Sequence, residues 1–430
     1  MTTANPNTDW RTGRFVRNVA LKTVFLFVAA NLAFIALRPL AGWNQPSLYN
    51  LLVPGRLRLP FGENPDQSYN LSLQNLPAML ASHALHGTPK AADEYRVILI
   101  GDSAVWGVLL SNTETLSAQI TAAALTTADG RRVRAYNLGY PVQSLLKDLL
   151  ILSAVRRYDP DLIVWLFTPE AFAPDQQLAT RLVQENPDLV ESLIRQFSLP
   201  IRTDDPKFIR PTLWEQTIIG QRRALADWLR LQLYGLAWGV TEHDQTYPRF
   251  YLPRMEDFGE DVDWHGFTPE TLPESAMADT LAFEMLAAGS ALMGNVPILF
   301  VNEPMFRSEG INSTLRYNFF YPRWVVDRFR AVMAAESQAR LWLYLDLWNA
   351  VPSAQFTDSA VHLTPEGVRM AAVRVGIAIL EAANPTLLQY PHWLDGNQPS
   401  DKKDGRRSFS LDHHRLPIGK HIVISGTVNH

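Results

Sequence analysis

The chain has no cysteine among its 430 residues. That absence removes disulfide frameworks, zinc ribbons, iron–sulfur ligation and thiol catalysis together, and with them a lipoprotein anchor on an acylated cysteine. Charge is also scarce: 19% of residues are charged, and 39 basic against 43 acidic side chains leave a net −4. No global basic field exists to hold a phosphate backbone, so nucleic acid is not an expected partner. GxxxxGK[ST] phosphate loops and HExxH helices are missing, and the His413-His414 pair lies in a polar tail, where solvation suits it better than a metal. Neither a metal site nor a cofactor is expected. The redox compartment stays open, because exported proteins can also lack cysteine.

What is present is a 47% apolar composition, which implies a large folded core, and one long apolar run, Val19–Leu37 (VALKTVFLFVAANLAFIAL). Nineteen helical residues reach roughly 28 Å, close to the thickness of a hydrocarbon core. Its one charge, Lys22, lies in the first turn, where its stem can snorkel to the headgroups. Arg11, Arg14, Arg17 and Lys22 crowd the N-terminal side and only Arg38 follows directly. The positive-inside rule therefore puts the N-terminus in the cytoplasm and everything after Pro39 outside. A cleaved signal peptide and a greasy soluble helix are the rival readings. The run is long for a signal core, and the Arg38-Pro39 exit offers no small-x-small cleavage site, so an uncleaved single-pass anchor is the expectation.

The organisation that follows is a cytoplasmic segment 1–18, a transmembrane helix 19–37, an extended collar 38–94, an α/β domain 95–383 and a polar tail 384–430. The domain alternates short apolar runs with helical stretches, as parallel strands joined by crossover helices require. Strands are expected at Arg96–Gly101, Val133–Leu138, Leu162–Phe167, Val296–Val301 and Leu341–Leu345. Helices are expected near Thr115–Leu125, Ser144–Arg157, Ser275–Met293, Pro322–Ser337 and Thr364–Ala383, giving a three-layer α/β/α sheet. Over about 170–272 the alternation lapses for longer than any ordinary crossover, which marks an insertion capping the sheet edge. Within it, Gln216–Val240 is apolar with a basic spot at Arg222, Arg223 and Arg230. It reads either as a cap helix packed on its neighbour or as a helix touching membrane or acyl chain.

Ligands of open parallel sheets bind beyond the carboxyl ends of the strands. The first strand runs into Gly101-Asp102-Ser103, where a serine hydroxyl is exposed beside backbone N–H groups. Serine needs a base, and the candidate is His362 in FTDSAVHLTPEG, a loop entering a helix with Thr364 as N-cap and Pro365 at its first position. Imidazole alone has an unperturbed pKa near neutrality, and Asp358 is near enough in sequence to hold the ring. Ser103 and Asp102 could equally cap a helix, and Gly139 could serve only a tight turn. Asn302 and Glu303 could contact substrate or form a turn. Trp106 is a candidate sugar platform, and Asp346 is the second candidate for the acid.

With GDS ending the first strand, Asn137-Leu138-Gly139 after the second, and an acid-then-histidine loop before the last helix, the chain resembles the SGNH (GDSL-type) hydrolases. The resemblance covers roughly Tyr95–Thr168 and Asn295–Ala383. It implies a flavodoxin-like five-stranded parallel sheet, Ser103 as nucleophile, His362 as base, Asp358 as its orienter, and the N–H groups of Ser103 and Gly139 as oxyanion donors. Two departures stand out: the acid and histidine are four residues apart rather than three, and the third-block asparagine is replaced by Thr168. A Thr168 hydroxyl or an Asn302 amide would have to stand in as the missing donor, while Trp106, Asp102 and Glu303 would meet substrate. The implied activity is an extracytoplasmic serine esterase acting on an acylated cell-surface glycan or lipid. An O-acyltransferase, with a membrane acyltransferase as partner, and a non-catalytic glycan-binding protein are the alternatives.

Overall fold

The structure is a computed structural model and describes residues 9–43, 47–62, 68–254, 256 and 259–384. Five parallel strands, β1 (Glu94–Ile100), β2 (Arg132–Asn137), β3 (Leu162–Phe167), β4 (Ile298–Asn302) and β5 (Leu343–Asp346), form one sheet in the order β2-β1-β3-β4-β5. The inner strands β3 and β4 are buried along their whole length and almost wholly apolar because both faces are covered, whereas the edge strand β2 (RVRAYN) alternates and leaves Arg132 and Arg134 exposed. On β1, Val97 and Leu99 face one side and Ile98 and Ile100 the other, and the two sets enter separate cores.

The helices that bear on the cores, the site and the apolar run, in chain order, are α1 (Asp9–Leu37), α2 (Leu76–Ser82), α3 (Ser103–Trp106), α4 (Leu116–Ala122), α5 (Leu145–Ser153), α6 (Arg222–Thr241), α7 (Glu274–Thr280), α8 (Glu284–Met293), α9 (Arg323–Arg340) and α10 (Pro365–Ala382); the insertion also holds a helix over Pro187–Phe197, and further short helices and turns join these elements. Buried residues of α4 and α10 (Leu116, Ile120, Val368, Val375) fill one core; those of α5, α8 and α9 (Leu149, Met285, Phe329) fill the other. The result is a three-layer α/β/α sandwich. Side-chain caps start the helices where the sequence places them: Thr115, Ser144 and Thr364 each accept from a first-turn N–H.

Two elements differ from expectation. The helix foreseen over 275–293 is α7 and α8, bent by 51°, because the Ala282 N–H leaves the helical ladder to donate to Phe172 O at 3.0 Å. The collar is not purely extended. It carries α2, and Leu59, Leu73, Leu76 and Met79 are buried in the larger core. Arg58, also buried, donates to Asp244 of the insertion and to Gly107 O and Leu110 O, tying collar, insertion and the end of α3 together. The tail from residue 385 on, with His413, His414 and the His421–Ser425 run, lies outside the described residues.

Among the described residues one helix, over Gly13–Leu37, is long and apolar enough by itself to cross a membrane, and it is almost wholly exposed. Next to its exit, α6 lies against Tyr49 so closely that a Cβ on Gly235 would sit 2.1 Å from the Tyr49 ring. Gly235→Ala should therefore destabilise the protein by about 1–3 kcal/mol, as overpacking does, lowering the midpoint of thermal unfolding.

Candidate active site

The strand order reverses at β1, whose neighbours are β2 and β3, so a crevice opens beyond its carboxyl end. Ser103 stands there as the first residue of α3. Asp102 caps that single turn, its Oδ1 accepting from Ala104 N at 2.8 Å, and Gly107 ends it at φ +93°, a left-handed conformation that favours glycine. The Gly139 Cα approaches α3 from the end of β2 so tightly that a Cβ would lie 2.5 Å from Trp106 N and 2.9 Å from Val105 C. Glycine is needed here for close approach rather than for a turn.

His362 and Asp358 come from the loop before α10. Phe356 and Leu363 bridge antiparallel at its base, and Thr357 N donates to His362 O at 2.8 Å, so residues 358–361 arch outward. That arch absorbs the four-residue spacing: His362 Nδ1 lies 2.9 Å from Asp358 Oδ1, while His362 Nε2 lies 2.9 Å from Ser103 Oγ. A carboxylate can only accept, so the Nδ1 proton faces Asp358 and Nε2 is left to accept the serine proton. Burial opposes the charge on Asp358, but the hydrogen bond and charge of His362 prevail and hold its carboxyl below the ordinary value. The insertion braces the loop as well: Arg254 donates from its backbone to Thr357 O and from its guanidinium to Ser353 O.

Three protein groups thus meet in the order hydroxyl, imidazole, carboxylate, which is the arrangement that activates a serine for attack on a carbonyl. The remaining expected residues are placed otherwise. Trp106 is no sugar platform: it is fully buried, donates from Nε1 to Leu59 O at 2.8 Å and lies under the Arg58 guanidinium. Asp102 is a buried cap rather than a substrate contact. The Gly139 N–H is engaged by Asn137 Oδ1 at 3.0 Å, and the Asn137 amide in turn holds Val105 O. Thr168 gives its hydroxyl proton to Gln143 Oε1 and lies 2.6 Å from the Tyr321 hydroxyl. The Asn302 amide donates to Asp346 Oδ1 at 2.9 Å. Of the expected oxyanion donors, the Ser103 N–H stands at the site, whereas the Gly139 N–H and the Thr168 hydroxyl proton are spent on internal partners and one N–H of the buried Asn302 amide goes to Asp346. Asp346 binds Asn302, Trp348 N and Arg330, so the acid on His362 is Asp358.

Beneath Ser103 lies a buried cluster that the sequence motifs do not mark. Lys147, wholly buried on α5, donates to Gly101 O at 2.8 Å and Tyr140 O at 2.7 Å, and its Nζ is 2.8 Å from Asp148 Oδ1. One ammonium thus clamps the loops after β1 and β2. The signal that could have found it is the Lys-Asp pair inside the apolar run LLKDLLILS. Burial pushes Asp148 up to about 6 against the pull of Lys147. Glu303, expected to meet substrate, is buried, and neither of its carboxylate oxygens has a hydrogen-bond partner among the described residues. Burial, with the nearby charges of Asp102 and Asp148, pushes its carboxyl well up.

No protein-family model matches the chain, and no curated protein matches it. Among solved structures, a carbohydrate acetylesterase family member from Sinorhizobium meliloti aligns at 12% identity over 67% of this chain and 98% of its own, TM-score 0.31. A catalytic mutant of Axe2, an acetylxylan esterase from Geobacillus stearothermophilus, aligns at 12% identity over 67% of this chain and 95% of its own, TM-score 0.30. A carbohydrate esterase family 2 enzyme plus carbohydrate-binding domain from Corynascus thermopiles (Myceliophthora fergusii) aligns at 11% identity over 69% of this chain and 68% of its own, TM-score 0.31. At these scores the likenesses carry no weight on function; the strand order and the Ser103–His362–Asp358 distances do.

A carboxyl whose native pKa is raised binds its proton more tightly in the folded state than in the unfolded one. Stability is then lost as pH rises from the ordinary carboxyl pKa through the raised native one. Glu303→Gln removes that loss, so its melting temperature should fall less than that of the wild type as pH rises above the ordinary carboxyl range; a parallel pH dependence of the two melting temperatures would show that Glu303 is not buried as a neutral acid.

Proposed function

We propose that this chain is a membrane-anchored serine esterase of the SGNH type, acting outside the cytoplasmic membrane on O-acyl groups of a cell-surface glycan or lipid. The observation that carries it is the pair of 2.9 Å contacts that line up Ser103, His362 and Asp358. In the first half-reaction Ser103 Oγ attacks the ester carbonyl while His362 Nε2 takes its proton; the Oγ–C bond forms and the alkoxide leaves, reprotonated by His362. The acyl group stays on Ser103. Water, deprotonated by the same imidazole, then attacks the acyl-serine, releasing the carboxylic acid and restoring the Ser103 hydroxyl. Asp358 stabilises the imidazolium in both halves. Replacement of water by a sugar hydroxyl would give O-acyl transfer with the same groups, and a membrane acyltransferase would then be the partner that supplies the acyl donor.

The apolar helix over Gly13–Leu37 and the positive charge before it support an anchor with the domain outside. A second reading, a glycan-binding protein on this fold without turnover, is favoured by one observation: the expected donors at Gly139, Thr168 and Asn302 all face internal partners.

A fluorophosphonate probe separates the two readings. The wild type should label and Ser103→Ala should not; an unlabelled wild type would support binding alone. His362→Ala should lower ester turnover by about 10²–10⁴-fold with an unchanged melting temperature, and Asp358→Ala should lower it too, since Asp346 is held by Arg330 and Asn302 and cannot replace it. Full activity in Asp358→Ala would remove Asp358 from the triad. Acetate release measured with and without an acceptor oligosaccharide then distinguishes hydrolysis from transfer, which would yield an acylated oligosaccharide.

A further inference from the structure

The insertion does not only cap the sheet; it also touches the apolar helix. Asn31, the one asparagine in the apolar run, is buried although the helix around it is exposed. Its Nδ2 donates to Phe27 O one turn back, and its Oδ1 accepts from Ile218 N of the insertion at 3.0 Å. A polar side chain at membrane depth needs such partners. Asn31 lies six residues before the end of α1 at Leu37, about 9 Å along a helix. The segment that meets it carries Leu213, Trp214, Ile218 and Ile219, all exposed.

From there the chain enters α6, which is apolar on two sides. One side, with Leu231, Gly235 and Trp238, is buried, and a side chain added at Gly235 would meet Tyr49. The other side presents Leu229, Leu233, Leu236 and Val240, at spacings of four, three and four, as one exposed stripe. Between the two apolar sides lie polar residues, the Arg230–Asp227 ion pair among them, and a contiguous exposed apolar stripe rimmed by charge marks a surface that meets another apolar phase. Arg222 and Arg223, exposed at its start, are the cations expected where a helix meets headgroups.

We infer that residues 213–219 and the outer stripe of α6 form a foot that rests in the headgroup–acyl boundary of the bilayer that α1 crosses. The occupant of this apolar face is lipid, because the face is continuous with the span: Ile218 is bonded to Asn31 of α1, whose neighbours Phe27, Val28 and Leu32 are exposed apolar side chains. The inference rests on the reading of α1 as an anchor. Since Arg254, later in the same insertion, holds the Asp358–His362 loop, the foot fixes the height of the active site above the membrane. A substrate rooted in the same leaflet, a lipid-linked or membrane-proximal glycan, would meet it there.

The lack of cysteine allows single nitroxide labels on the full chain. Leu213→Cys and Leu233→Cys test the foot, Leu26→Cys tests the span, and Val373→Cys on the exposed side of α10 is the aqueous reference. In phosphatidylcholine–phosphatidylglycerol vesicles, oxygen and nickel-chelate collision rates should place the labels at 213 and 233 about 5–10 Å below the phosphates, that at 26 deeper, and that at 373 in water. Fluorophosphonate labelling of each variant reports whether the fold around Ser103 is kept. Labels at 213 and 233 as open to nickel as that at 373, with that at 26 in lipid, overturn the foot and leave the anchor. A label at 26 in water overturns both. Labels at 213 and 233 shielded from both reagents would mean that a protein surface covers the face, and that also overturns the foot.

Discussion

The contact between His362 Nε2 and Ser103 Oγ joins residues 259 positions apart, and most of the fold can be read as the means of making it. Neither group is reactive alone. A serine hydroxyl is a poor nucleophile, and an imidazole without a fixed partner spends its lone pair on water. What brings them within 2.9 Å is the sheet, which delivers the loops after its strands to one edge. There a one-turn helix aims Ser103, and an arched loop aims His362.

Holding that edge together requires charge in places where charge is costly. Lys147 is buried so that its ammonium can bond the backbone of two loops at once, which no apolar side chain could do. Asp148 accompanies it, while Asp102 and Glu303 bring two further carboxyl groups into the same low-dielectric region. With one cation among three acids, full ionisation is disfavoured, and Glu303 is the group pushed furthest toward its neutral form. The polar cluster under Ser103 is therefore a device of geometry rather than a source of stability.

How much of this was legible follows from the range of each interaction. The strands, the helix starts near Thr115 and Ser144, the Thr364 cap, and the first and last blocks of the site are local patterns, and they stand where the residues suggest. Trp106 is only three residues from Ser103 in sequence, yet on α3 it faces inward, to a collar carbonyl 47 positions earlier. Thr168 and Asn302 follow or end their strands as oxyanion donors should, but their hydrogen bonds go to Gln143 and Asp346, partners set by packing. The bend at 281–283 depends on a carbonyl at Phe172, more than a hundred residues away, and no periodicity could signal it.

The sequence alone determined the α/β alternation, the long apolar helix, and the serine and histidine, because each is written in the order of apolar residues or in a short motif beside a strand. Tertiary structure decided which acid serves the histidine, which donors are already occupied, and that Lys147 sits under the site. Those outcomes depend on distances of about 3 Å between distant segments, and a hydrogen-bonding group carries no mark in the sequence of which partner the fold will bring to it.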